Sequence, residues 1–236
     1  MFGTKKMTSQ TFINEKNIIK NKDIYYGAYS RYLSDIIRVI LGVLPFFLSA
    51  QTFLLDKKSN AYKTIHTKTI SSHQIIFIRT CSIMTLACLP VLLFSFYFII
   101  KLSIIHQVSL KAILIFYKIL ILWTTPTLLF TIALGILLTI MFHSYLGVIV
   151  QIVIWFTNLN IGANAVEGHY GYLLIPRHNT LFNARYFYNN YNELLMNRIS
   201  YCCLDIIIIL ISIWIFDLKR RGVTRNGEVT FHRNQN

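Results

Sequence analysis

Apolar residues fall into five long runs along the chain, separated by connections of very unequal length. The first run is 36–55, IIRVILGVLPFFLSAQTFLL, and the second is 83–100, IMTLACLPVLLFSFYFII, which carries no charge. The third lies within 112–142, where Lys118 marks an interface and leaves 119–142 as the apolar core. The fourth, 145–161, is short and polar at its end, and the fifth is 199–216, ISYCCLDIIIILISIWIF. About 20 predominantly apolar residues cross the hydrocarbon core of a bilayer. The pattern therefore predicts an all-α integral membrane protein with five or six transmembrane helices and a long outer loop before the last span. Residues 1–35 read as a polar N-terminal segment, 36–218 as the transmembrane domain and 219–236 as a basic tail. Pro45, Pro90 and Pro126 fall inside spans. Lipid-embedded helices tolerate such prolines because neighbours re-satisfy the freed carbonyls. Arg38, near the start of the first run, is expected to snorkel to the interface.

Composition sharpens the class. Of 236 residues, 55% are hydrophobic and 14% charged, yet the net charge is +14. Ordinary soluble domains carry about 25% charged residues. Basic nucleic-acid readers cluster their charge on a soluble domain, and no such domain is visible, so membrane lipids and not nucleic acid are the expected contacts of the positive charge. The polar start lacks a signal-peptide pattern. Cys81, Cys88, Cys202 and Cys203 have no metal-ligand spacing and read as small packing residues. Glu167, His169 and His178 lie in the outer loop; E-x-H lacks the two His at i, i+4 of a zinc protease, and the three read as solvated loop residues. Neither a metal, a cofactor nor a catalytic group is expected.

Orientation follows from basic loops, which stay cytoplasmic. Lys57, Lys58, Lys63, Lys68 and Arg79 lie between spans one and two, and Lys219, Arg220, Arg221, Arg225 and Arg233 follow span five. Five spans put both groups on one side, read as inside, with the C-terminus cytoplasmic and 162–198 outside. Residues 1–35, with Lys5, Lys6, Lys16, Lys20, Lys22 and Arg31, then fall outside against the same rule. The expectation is a sixth span missing from the start, or a count that is off by one.

The stretch 56–80, DKKSNAYKTIHTKTISSHQIIFIRT, places five Lys/Arg between two apolar spans. At helical spacing Ala61, Ile65 and Thr69 share one face with Tyr62 and His66 beside them, which predicts a short amphipathic helix at the membrane surface. Asp56 ends a span, NAYKTIHT follows, TIS stands at 69–71, and Arg79 precedes the next span. This layout resembles the first cytoplasmic loop of type-2 ATP-binding-cassette (ABC) transporter permeases. NELLMNRISY before the last span and the closing KRRG are similar too. The resemblance covers roughly 36–222. It implies a coupling helix that touches a separate ATPase subunit through Asp56, Ala61, Tyr62, Ile65, His66, Thr67, Ile70 and Ser71. It further implies a permease that pairs as a homodimer or with a second permease, most simply an exporter of a peptide, antibiotic, lipid or saccharide in a bacterial cell membrane. Residues 1–35 align with the family's first outer loop, so a member lacking the first span is expected. The chain has no Gly-Lys pair, hence no G-x-x-x-x-G-K-[ST] loop of its own for ATP. A non-transporting accessory or immunity membrane protein is the alternative reading.

Asp205 lies six residues into span five, about 9 Å deep at 1.5 Å per residue. An acid at membrane depth is costly and often functional; a possible intramembrane polar site and a simple pairing with Arg198 are the competing readings. Tyr186, Phe187, Tyr188 and Tyr191 form an aromatic cluster in the outer loop, expected as an interfacial belt or re-entrant segment.

Overall fold

The computed structural model describes residues 8–59, 61, 65, 70–142, 144, 146–165 and 168–221. Among them every regular element is helical, apart from a single antiparallel bridge between His169 and Arg177. Helix α1 is Ser9–Ile18 and runs into a π-helical turn, Ile19–Asp23. Then follow α2 (Tyr26–Leu41), α3 (Leu44–Lys58), α4 (Ser72–Ile105), α5 (Leu110–Phe142), α6 (Leu146–Asn164), the short α7 (Ala184–Asn189) and α8 (Tyr191–Arg220). Among the described residues five spans are long and apolar enough to cross a membrane: the α2–α3 pair, α4, α5, α6 and α8. The chain is an all-α, multi-pass membrane protein.

The spans alternate between two ends. The loop end carries α1, the α4–α5 link and residues 165–190. The tail end carries the α3–α4 connection, the α5–α6 turn and the end of α8. Central position goes to α5 and the α2–α3 span, whose most apolar windows are 61% buried, against 22% for α4 and α8 and 17% for α6. The outward faces of those three helices are what lipid would touch. On Gly135 a Cβ would stand 2.0 Å from Ser49 Oγ, so only glycine lets α5 lie this close to α3.

Each helix boundary has a local cause. Ser71 and Gln74 form a capping box at the start of α4, each side chain accepting from the other's backbone N–H. That satisfies two amides the first turn leaves free. Pro45 sits in the first turn of α3, where its missing N–H costs nothing. The first span is thus two helices in series and not one helix kinked at its proline. Its helix also begins at Tyr26, ten residues before the apolar run, because Ser30, Arg31, Ser34, Asp35 and Arg38 are buried inside the bundle. Pro90 and Pro126 do lie within helices, α4 and α5.

The break between α2 and α3 leaves carbonyls without intrahelical partners at membrane depth. Three side chains from elsewhere supply the missing donors. Trp155 Nε1 donates to Val39 O at 2.8 Å and Gln151 Nε2 to Gly42 O, while Thr131 Oγ1, 2.9 Å from Leu41 O, shares its single hydrogen between that carbonyl and those of Thr127 and Leu128 on its own helix. Gln151 is buried and sits on α6, a helix otherwise turned outward. Replacing Gln151 by Leu should therefore lower stability by about 1–3 kcal/mol, the cost of an unsatisfied buried group. Asn160, exposed and bonded only to Phe156 O of its own helix, should tolerate the same change. Thermal unfolding in detergent compares the two.

Candidate functional site

Two polar constellations stand out, one at each end, and they differ in construction. At the loop end, acids from the N-terminal 35 residues hold the 165–190 segment in place. Glu15 Oε2 accepts from the amides of Ala184 at 2.8 Å and Arg185 at 3.4 Å, in the first turn of α7. Asp23 forms a forked pair with Arg31, at 2.9 and 2.7 Å, and accepts from Tyr188 Oη at 2.7 Å. The Arg31 guanidinium lies 4.5 Å from the Phe187 ring centre. Asp35 pairs with Arg38, and its other oxygen accepts from the amides of His178 and Asn179, both at 2.8 Å. Asn179 adopts a positive φ of 62° and donates to Gly162 O and Ala165 O, tying the segment to the end of α6.

Arg38 does not snorkel. It is fully buried, with its guanidinium 4.4 Å from the Trp123 ring centre. A cation over an indole face, with a carboxylate partner, is stable away from water. Arg198 is buried as well, but its hydrogen-bond partners are neutral. It donates to Asn197 Oδ1, to Thr127 Oγ1 at 3.2 Å, and to the carbonyls of Trp123, Leu173 and Leu174. Asn197 in turn bonds the carbonyls of Tyr170, Gly171 and Leu173. The aromatic cluster turns inward instead of forming a belt. Phe187 is buried against Trp123 and Tyr170, with Tyr186, Tyr188 and Tyr191 packed around them.

His178 sits at the centre of this layer. Its Nε2 lies 2.7 Å from Phe182 O, which only accepts, so Nε2 carries the hydrogen. Nδ1 then accepts from Tyr170 Oη at 2.6 Å. Burial, helped by the charge of Arg31, pushes the imidazole down to about 3. Burial likewise raises the hydroxyls of Tyr170 and Tyr188 above the ordinary range, with the Asp23 charge adding to the latter.

At the tail end, Asp56 and Arg79 form an ion pair between the end of α3 and the first turns of α4, each partly exposed. The Arg79 guanidinium lies 4.4 Å from the Phe53 ring centre, and Phe53 meets Phe216 edge to face at 6.2 Å. Ser72 Oγ donates to Asp217 Oδ1 at 2.9 Å. Arg220 donates to Ile70 O, and Lys219 reaches the carbonyls of Ile140 and Met141. Of the residues expected in a coupling element, Asp56 and Ile70 lie in this cluster, Ser71 caps α4 beside it, and Ile65 packs against the main core. Ala61 is half-buried. Tyr62, His66 and Thr67 lie outside the described residues, as does Glu167.

Asp205 is not paired with Arg198. It is the fifteenth of the thirty residues of α8 and 1% exposed, and neither carboxyl oxygen has a hydrogen-bond partner. An open groove of about 490 Å³ runs along the loop-end half of the same helix, lined among others by Tyr172, Glu193, Met196, Tyr201 and Leu204. Sequence reasoning passed over Asp23, Asp35 and Gln151; it counted Arg31 only as an outer charge and read His178 as a solvated loop residue, whereas both are fully buried, held by Asp23 and by Tyr170 and Phe182 respectively. No family model, curated protein or solved structure matches the chain.

Two outcomes follow for the loop end. An Asp23→Ala variant leaves Arg31 buried without its counter-charge and should lose about 3–5 kcal/mol. The double variant Asp23→Leu, Arg31→Met should recover most of that loss, measured by thermal unfolding. His178 binds its proton near pH 6.5 in the unfolded chain but only near 3 when folded. The folded state therefore binds fewer protons between these values, and stability falls as the pH drops from about 6.5 towards 3. The slope contributed is at most about 1.4 kcal/mol per pH unit. His178→Gln should flatten it, read from hydrogen exchange in segment 168–188.

Proposed function

We propose that the chain is the membrane-spanning permease subunit of an ABC transporter, an exporter driven by a separate ATPase subunit. The stretch 56–72 docks on that subunit, the basic tail end faces the cytoplasm of a bacterial cell, and two such subunits pair around the path. The observation that carries this reading is the way the stretch is tethered. Asp56 and Arg79, which the family layout sets at opposite ends of the coupling loop, meet in an ion pair that closes its base. Ile70 O and Ser72 connect the same stretch to the last turn of α8. A push on the loop between them is thus shared by α3, α4 and α8. Such a linkage suits a protein that receives mechanical work from a partner and redistributes its conformations.

The test is capture of the partner from detergent-solubilised membranes of the native host. Wild-type protein should bring down an ABC ATPase, and the double variant Ala61→Glu, His66→Glu should not. Asp56→Lys and Arg79→Asp should each weaken capture, and the two together, which restore an ion pair of reversed sense, should recover it. Correctly inserted wild-type protein that captures no such ATPase overturns the proposal and leaves the accessory or immunity reading.

A further inference from the structure

Asp205 poses a problem that the transporter reading does not address. The membrane interior penalises an ionised carboxylate heavily unless it is paired and hydrogen-bonded, and buried polar groups lacking partners are rare enough to need an explanation. Asp205 sits at mid-span, 1% exposed, with both oxygens unpartnered. Its one cationic neighbour on the same face, Arg198, stands two turns away with its donors on Asn197, Thr127 and three backbone carbonyls. Among the described residues the rest of the surroundings supplies no counter-charge. Tyr201 and Cys202 lie one turn closer to the loop end on α8. The apolar cores of α5, residues 119–142, and of α6, 146–164, contain no ionisable side chain. From α4, Cys88 packs with the cluster that includes Ile209, one turn beyond Asp205. Arg38, nearer the loop end, is engaged by Asp35.

A route to water exists on one side. The loop-end groove reaches Leu204, immediately before the acid along α8, and Tyr201, four residues before it. Tyr201 lies one helical turn from Asp205 on the same face. Its ring stands edge to face on Phe130 of α5, 5.7 Å between centres, and its hydroxyl donates to Tyr172 O at 3.0 Å. The ring therefore lines the groove one turn from the carboxyl group and is held by Phe130 and by the backbone of Tyr172.

We propose that Asp205 is a proton-carrying group of the membrane interior, which holds a proton while α8 lies against α5 and exchanges it with water in the loop-end groove past the Tyr201 ring. On release the carboxyl O–H bond breaks, its electron pair stays on the carboxylate and the proton passes to groove water; nothing is oxidised or reduced. The inference is independent of the ATPase partner, because it concerns one side chain and its access to solvent.

Infrared spectroscopy of the whole chain in lipid vesicles near neutral pH tests it. Wild type should show the carbonyl stretch of a protonated carboxylic acid. Asp205→Asn, close in shape and neutral, should lack that band with an unchanged amide envelope, and Asp205→Glu should retain it at a shifted position. In heavy water, Tyr201→Ala should exchange the acid proton several-fold faster than wild type. A difference between wild type and Asp205→Asn that contains only ionised carboxylate bands overturns the proposal. An exchange rate that Tyr201→Ala leaves unchanged overturns the route through the groove. Should Asp205→Asn fail to insert, the comparison of wild type with Asp205→Glu decides the same question by the presence or absence of the shifted acid band.

Discussion

Lipid offers no hydrogen bond to a peptide group, and the rest of this bundle is arranged around the place where that constraint bites hardest. The chain interrupts its first span at Gly42 and Val43, within the membrane, and exposes carbonyls that water would ordinarily satisfy. Thr131 on α5 and Gln151 and Trp155 on α6 donate to them. Those three bonds fix the rotation of α5 and the position of α6 against α2. They also give α6, the least buried span, its polar reason to be in the bundle. Without a hydrophobic force between helices in lipid, such bonds and close backbone contacts decide which faces meet. The Gly135–Ser49 approach supplies the second kind, on the opposite side of the same break.

The same logic explains why the N-terminal residues carry so many charges into the interior. Residues 168–183 of the loop form no helix, so their amides need acceptors, and Asp35 supplies one for His178 and Asn179 as Glu15 does for the start of α7. A carboxylate placed there needs a cation, and Asp35 has Arg38. Arg38 in turn needs a surface that tolerates charge without water, and Trp123 gives it a π face. Asp23, Arg31, Phe187 and Tyr188 repeat the arrangement one layer further out. The loop is held as a fixed cap by a chain of such substitutions, each compensating for the one before.

Much of this was legible in the sequence, and the limit of legibility is physical. The five spans follow from run length alone, since nothing but lipid rewards about 20 consecutive apolar residues. The start of the first span did not follow, because YSRYLSDIIR reads as a solvated segment until its polar residues are matched to partners far away in sequence. Ser30 bonds to Phe116 O, 86 residues on, and Asp35 to His178, 143 residues on. The expected snorkelling of Arg38 failed for the same reason: Trp123 and Asp35 form its environment only in the folded bundle. At the tail end, Asp56 and Arg79 were both marked out by their positions, but nothing local said that they touch. The charge count at the loop end changes with the fold too. Arg31, Arg38 and Arg198 leave the surface, while Lys16, Lys20 and Lys22 stay exposed.

The two ends differ in how deeply their ion pairs are buried. At the loop end the pairs Asp23–Arg31 and Asp35–Arg38 are all but inaccessible. Separating either strands a buried charge at a cost of about 3–5 kcal/mol. At the tail end Asp56 and Arg79 keep 25% and 18% of their side chains exposed, and in Asp217–Arg221 only Arg221 is largely exposed. Pairs open to solvent are worth about 0–1 kcal/mol, because water replaces the partner when they part. The tail-end pairs are therefore the less deeply buried of the two sets, and the Ser72–Asp217 and Arg220–Ile70 contacts join the same elements beside them. Asp205, midway along α8, lies between the more deeply and the less deeply buried pairs.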